Sequence, residues 1–306
     1  MNIRARELHE HSTSDDGDDN PKKRKSGKRS KPKKTLAQRA DKYRLYQKSV
    51  QCPDAEVPFF TRAYKRAFGR SPVILREDFC GTAAVSCEWV ASKRGRVAYG
   101  VDLDPEPLTW GSDYNAAGLD DEARSRLHLI EGDVRSAETP PADVIAAQNF
   151  SFYIFKERQL LLEYFKAAYG NIAEQGVMVL DMFGGGEVWQ DDHQEERQYK
   201  KFNYIWDQHS VDPISHDATF YIHFYFPKDK SRIHRAFTYE WRLWTIREVR
   251  ELLEEAGFAR SVVYWEGSDG EGEGNGVYKP KKRAPADPAW VCYVVAIKDE
   301  RAASAE

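Results

Sequence analysis

The residues with most chemical content lie in three short runs: Leu75-Arg76-Glu77-Asp78-Phe79-Cys80-Gly81-Thr82-Ala83, Tyr99-Gly100-Val101-Asp102-Leu103-Asp104 and Glu131-Gly132-Asp133-Val134. In the first, an apolar stretch gives way to a small-residue turn and then to a helix-forming segment. A glycine at such a corner lets the backbone approach a ligand, and the helix it opens presents unpaired N–H groups. Gly81 suits the first task, and Thr82 suits the helix cap. Twenty-one residues after Gly81, Asp102 ends the second apolar run. Nucleotide-binding α/β folds place a carboxylate there to accept both hydroxyl hydrogens of a ribose. Asp104-Pro105 reads as a cap followed by proline at the first helical position, which assigns Asp104 to the helix and leaves Asp102 for a ligand. Asp133, with a neighbouring backbone N–H, has the donor and acceptor needed to read an adenine edge. Gln148 and Asn149 follow a fourth apolar run and bring two amides to the same region.

These runs need a frame, and the sequence between them supplies one. Strands are expected at 72–77, 97–101, 127–131, 143–147 and 176–181, alternating with helices at 82–93, 107–117 and 157–173. That alternation predicts a doubly wound, mostly parallel α/β sheet, which binds ligands at the carboxyl edge of its strands. Before it, the Thr35/Gln38 pair forms a capping box opening a helix to about Val50, and Val57, Phe60, Tyr64 and Phe68 stripe a second helix. After it, the segments 201–207, 218–226 and 233–241 alternate aromatic and polar residues and predict an inserted antiparallel meander. A second capping box, Thr245/Glu248, opens a helix that Gly257 stops. Two final strands, 261–265 and 290–298, flank a Gly/Glu/Lys/Pro loop at 267–288. The expected domain plan is a tail at 1–34, helices at 35–70 covering the ligand site, a main domain at 71–299 and a tail at 300–306.

The order and spacing of Glu77-x-x-x-Gly81, Asp102, Gly132-Asp133 and the strand Asp143-Val144-Ile145 resemble class I S-adenosylmethionine-dependent methyltransferases over about residues 70–299. A narrower resemblance is to a bacterial branch whose first motif reads Leu-Arg-Glu-Asp-Phe-Cys-Gly-Thr, with Tyr204-Ile-Trp-Asp-Gln208, Ile222-His-Phe224 and Arg235 to Trp244 as further marks. The resemblance implies a seven-stranded sheet with an antiparallel last strand and S-adenosylmethionine as cofactor. It implies that Glu77 holds the acidic position of the first motif. Cys80, Gly81 and Thr82 would turn around the methionine part. Asp102 would hold the ribose with Leu103 against the adenine, Asp133 and Val134 would read the adenine edge, and Asn149 would lie near the methionine part. The usual glycine-rich turn has Phe79 and Ala83 at its outer positions here, which argues against a dinucleotide, whose pyrophosphate needs those glycines.

Methyl transfer from a sulfonium is a direct displacement, so the acceptor site must mainly align and desolvate, and a base is needed only if the nucleophile must lose a proton. Trp206, Asp207, Gln208, His223, Tyr239, Trp241 and Trp244 fall in or beside the meander. They read either as a roof over the acceptor or as the meander's own core. Of these, Trp206, His223, Tyr239 and Trp244 are the candidate acceptor-site residues, and no catalytic residue is identified.

Composition narrows the function classes. Residues 1–34 carry eleven Lys/Arg and six Asp/Glu, whereas 35 basic and 43 acidic residues remain in 35–306. An acidic body does not suit gripping a phosphate backbone, and a small-molecule acceptor is expected. The basic run at 22–34 reads as a solubilising tail, a nuclear-import-like signal or a nucleic-acid contact, and its apolar-poor segment is expected to be disordered. An RNA or protein methyltransferase docking through that run, and a cofactor-binding module without transfer activity, stay open as alternatives. Cys52, Cys80, Cys87 and Cys292 have neither disulfide nor zinc spacing, so no metal is expected. No apolar run approaches the roughly 18 residues of a membrane helix, and the expectation is a cytoplasmic protein.

Overall fold

A computed structural model describes residues 33–268 and 274–299. Among the described residues, three helices, α1 (Leu36–Arg39), α2 (Lys42–Ser49) and α3 (Pro53–Phe68), precede the alternating region. Thr35 and Gln38 form the expected capping box, but the helix they open is only one turn long. Ala40 is extended, and Asp41 caps a new helix by accepting from the N–H groups of Tyr43 and Arg44. The single helix expected to Val50 is therefore two.

The alternating region runs β1 (Ile74–Asp78), α4 (Ala84–Ser92), β2 (Val97–Asp102), α5 (Pro105–Tyr114), α6 (Asp121–Arg124), β3 (Leu127–Glu131), β4 (Ala142–Ala147), α7 (Arg158–Asn171) and β5 (Ile172–Gly184). A second sheet follows, built from β6 (His193–Gln198), β7 (Asn203–Val211), β8 (Asp217–Phe226) and β9 (Ser231–Arg242). The chain then closes with α8 (Ile246–Glu255), β10 (Arg260–Ser268), β11 (Gly274–Pro280) and β12 (Trp290–Ile297).

The main sheet has the order β11-β10-β12-β5-β4-β1-β2-β3. Strands β1 to β5 pair in parallel, and β12 lies antiparallel between β5 and β10. The doubly wound sheet with a reversed strand is present, and β11 adds an eighth strand inside the segment expected to be a loop. The chain passes from β1 outward to β2 and β3, then returns to β4 beside β1. That reversal opens a crevice at the carboxyl ends of β1 and β4, where open α/β sheets take their ligands.

Helices cover both faces, as near-continuous apolar parallel strands require. On one face Phe60 and Tyr64 of α3 and Val85, Trp89 and Val90 of α4 bury themselves against Leu75, Val144 and Val179. On the other, α7 and α8 contribute Leu161, Phe165, Leu252 and Leu253 against Ile145, Met178 and Leu180. The Thr245/Glu248 capping box opens α8 as expected. The second sheet has four strands rather than three, starting at His193. Its inner aromatic face splits: Phe220 and Trp241 join the main core, while Tyr204 and Phe224 pack with Leu45 of α2.

Candidate functional site

The turn after β1 takes the backbone path of a glycine-rich loop with two non-glycine residues. Phe79, Gly81 and Ala83 all have left-handed φ, at 58°, 52° and 54°. For Phe79 and Ala83 that conformation costs about 1–2 kcal/mol each. Packing holds it: Phe79 meets the rings of Phe155 and Tyr164 at 5.9 and 5.5 Å, and Ala83 is fully buried. The helix cap expected at Thr82 is not there, because Ala83 occupies the cap position without a side-chain bond. Thr82 instead ties the turn to its surroundings. Its hydroxyl accepts from Gln47 Nε2 of α2 at 3.0 Å, and its carbonyl accepts from Asn115 Nδ2 at 2.8 Å. Helix α5 can come this close because Gly111 faces the turn, where a Cβ would sit 2.3 Å from the Thr82 carbonyl oxygen. Beyond Gly81 itself, a Cβ would meet nothing within 4 Å.

Glu77 is buried beneath this turn, and its Oε2 accepts from the N–H and hydroxyl of Ser86 in the first turn of α4. Burial pushes its carboxyl up to about 7, against the pull of the Ser86 bonds. Arg76, a charged residue in a central strand, points to the opposite face and is fully buried. Its Nε pairs with Asp78 Oδ1 at 2.7 Å, and its remaining nitrogens donate to the carbonyls of Val134 and Ala137. Asp78 also accepts from the Tyr164 hydroxyl. This network fastens the segment after β3 to β1 and fixes where Asp133 and Val134 stand.

Asp102 is half-buried at the end of β2, and it is not left free. Its Oδ2 accepts from Gly81 N at 2.7 Å and its Oδ1 from Asp104 N at 2.9 Å. It braces the turn, and its remaining lone pairs are what a ribose could use. Asp104 caps α5 through Glu106 N, with Pro105 at the first position, as expected. Leu103 is 70% exposed, an aliphatic side chain without a protein cover. Asp133 is clasped by Arg135, with Oδ2 2.6 Å from Nη2, and that partner holds its carboxyl below the usual range. Val134 and Cys80 are buried. Asn149 and Phe150 are both left-handed, and their N–H groups donate to Asp181 at 2.8 and 2.9 Å.

Beside Asn149 lies a cavity of about 180 Å³ between the carboxyl edge of the main sheet and the second sheet. Trp206, Tyr239 and Trp241 roof it, and Tyr46 of α2 closes one side. Tyr278 and Tyr293, together with Glu56 and Asp181, line it as well. Burial raises Asp181 to about 7, and it raises Glu56 well above the carboxylate range, with Asp181 adding to the effect. Of the four candidate acceptor residues, Trp206 and Tyr239 line this cavity and the other two do not. Trp244 sits in the main core, donating Nε1–H to the Phe155 carbonyl. His223 has both ring nitrogens committed, one to Asp207 Oδ2 at 2.9 Å and Nδ1 to the N–H of Arg235 at 2.8 Å. That arrangement fixes a neutral ring with no nitrogen left for an acceptor, so its role is structural.

Glu56 and Asp181 escaped the sequence reading. Asp181 carried the same signal as Asp102, an acid ending an apolar strand at the ligand edge. Glu56 looked like an ordinary first-turn acid of α3, and only packing reveals that it faces inward.

The exposed Leu103, the clear space beyond Gly81 and the partly satisfied Asp102 carboxylate fit an adenosine-bearing ligand laid across the ends of β1 and β2. Among the described residues no group of three or more His, Cys, Asp or Glu could hold a metal ion. The four cysteines are free.

No family model and no curated protein matches the sequence. Solved structures do match the fold. An S-adenosylmethionine-dependent methyltransferase from Clostridium acetobutylicum aligns with a TM-score of 0.63 at 15% identity, over 84% of this chain and 97% of its own. Streptomyces venezuelae DesVI aligns at 0.61 with 16% identity, over 83% and 96%. The sugar N-methyltransferase KedS8 from Streptoalloteichus aligns at 0.59 with 14% identity, over 90% and 98%. The chain has the fold of the S-adenosylmethionine-dependent methyltransferases.

Proposed function

We propose that this chain binds S-adenosylmethionine across the carboxyl ends of β1 and β2 and directs its methyl group to a small molecule seated in the cavity beside Asn149. One observation carries the reading: the Phe79–Ala83 turn and the aromatic cavity flank the same crevice of a methyltransferase fold. The cofactor supplies a methyl group already activated on a positively charged sulfur. In this reading Asp102 holds the ribose and Leu103 covers the adenine, with Asp133 and Val134 at its edge. Glu77 supports the turn from below, and Cys80, Gly81 and Thr82 shape its path around the methionine part. Helices α1–α3 act as the cover, through Gln47 on Thr82 and Tyr43 on Glu106.

A cavity of about 180 Å³ suits a small acceptor better than a polymer. The neighbours include an enzyme described as acting on a sugar nitrogen. No described helix is long and apolar enough to cross a membrane. Transfer of labelled methyl from S-adenosylmethionine into a metabolite extract, compared with an RNA extract, tests the proposal. Label is expected in the small-molecule fraction. Label confined to RNA would contradict it and favour docking through residues 22–34, most of which lie outside the described residues.

A further inference from the structure

The cavity beside Asn149 has a chemical character of its own. Four carboxylates line it, Glu56, Asp181, Glu195 and Glu196, against one guanidinium, Arg197. Arg197 is turned to other work, donating to the Ser49 carbonyl and lying over the Tyr204 ring. Glu56 is 7% exposed, and among the described residues its buried Oε2 has no hydrogen-bond partner. A buried acceptor left unmatched costs about 1–3 kcal/mol, so its retention calls for a donor or cation at that point. Helix-end electrostatics do not explain it, because exposed Asp54 already supplies an acid to the first turn of α3. Asp181 also faces the cavity, although two of its lone pairs serve Asn149 and Phe150. The walls carry the aromatic rings of Tyr46, Trp206, Tyr239, Trp241, Tyr278 and Tyr293. Aromatic faces attract cations, most strongly where water is excluded.

We propose that the acceptor is an amine, bound as its ammonium ion with Glu56 and Asp181 as hydrogen-bond acceptors inside this aromatic cage, and that its nitrogen is the atom methylated. The proposal rests on the methyl-transfer reading above. An ammonium has no lone pair and cannot attack. One N–H proton passes to the Asp181 carboxylate, a group that burial has brought near neutrality, where a general base works best. The freed nitrogen pair then forms the N–C bond to the methyl carbon as the C–S bond breaks, with that bond's electrons staying on sulfur as a neutral thioether. The product amine carries the positive charge, and the cage still accommodates it.

Three probes of one shape and different charge test this by titration calorimetry on the full chain: benzylamine, benzyl alcohol and benzoate, each with and without saturating S-adenosylhomocysteine. Benzylamine is expected to bind at least about tenfold more tightly than benzyl alcohol, with benzoate weakest. Glu56→Gln, which keeps shape and cannot ionise beside an ammonium, is expected to reduce that preference to within about threefold while shifting S-adenosylhomocysteine affinity by less than about twofold. Benzoate binding as well as benzylamine overturns the proposal, as does an unchanged preference in Glu56→Gln or no amine binding at millimolar concentration. Displacement of benzylamine by S-adenosylhomocysteine also overturns it, by making the cavity part of the cofactor's own seat. Amine preference in a protein that does not bind S-adenosylhomocysteine upholds the cage and sinks the methyl-transfer reading instead.

Discussion

At the scale of single residues, the carboxylates divide by what they already hold. Asp102 was legible as a ligand residue from its place at a strand end, but not as a brace for Gly81 N, 21 residues away in sequence, and for Asp104 N, two residues on. Asp102→Ala is therefore expected to do two things. Loss of charge-assisted bonds to ribose, at about 1.5–3 kcal/mol each, should weaken S-adenosylhomocysteine binding at least about tenfold in calorimetry. Two orphaned N–H groups should also lower the melting temperature, so the residue is not neutral to stability. Asp104→Ala is the control, costing about 1 kcal/mol as a lost helix cap while sparing affinity more. Equal affinities for wild type and Asp102→Ala would remove the ribose role. Arg76 pairs with Asp78 two positions on along the same strand face. Arg76→Met leaves Asp78 buried with its charge unmatched, and a loss of about 3–5 kcal/mol in denaturant unfolding is expected. Arg76→Met combined with Asp78→Leu should recover a large part of that, and no recovery would mean the bonds to Val134 and Ala137 dominate.

At the scale of elements, legibility followed apolar patterning. Strand β4 and the second half of β5 were readable because burial on both faces leaves nearly unbroken apolar runs, and β1, β2 and β3 from shorter apolar stretches alternating with helical segments. Strand β6, His193–Gln198, has no apolar residue, and β11 contains two glycines and a proline; both pair at edges where their neighbours decide their conformation. The split between α1 and α2 turned on Asp41 outcompeting helix continuation, which a capping box upstream concealed. The second sheet was expected as aromatic and alternating, yet its sequence could not say which rings face the cavity. Trp206 stacks on Phe220 at 5.0 Å, so Trp206→Ala will cost stability as well as any acceptor contact. Tyr239→Phe separates the two effects, because it keeps the ring and removes only the hydroxyl shared with Tyr46. Turnover is expected to fall while melting temperature and S-adenosylhomocysteine affinity stay within error. Unchanged turnover would make Tyr239 a packing residue.

At the scale of the whole molecule, the folded chain carries protons that its unfolded form does not. Burial raises Glu56, Glu77 and Asp181, the last two to about 7, whereas in the unfolded chain these carboxyls ionise near pH 4. Between those limits the native state binds more protons, so these groups make stability decline as pH rises. Glu56→Gln cannot titrate, and its melting temperature relative to wild type should therefore climb between pH 5 and 8. A constant difference would show that Glu56 is ionised when folded. Residues 1–34 hold almost no apolar side chains with which to join a core, so their removal should change neither melting temperature nor cofactor affinity.

In the proposed reading, the fold, the left-handed turn and the adjoining aromatic cavity converge on S-adenosylmethionine as the methyl donor. Titration calorimetry of the full chain with S-adenosylhomocysteine and with NAD tests that convergence most directly. Saturable binding of S-adenosylhomocysteine and no comparable binding of NAD is the predicted result. Tight NAD binding with no heat from S-adenosylhomocysteine would contradict it, because it would place a pyrophosphate in a turn where Phe79 and Ala83 stand instead of glycine.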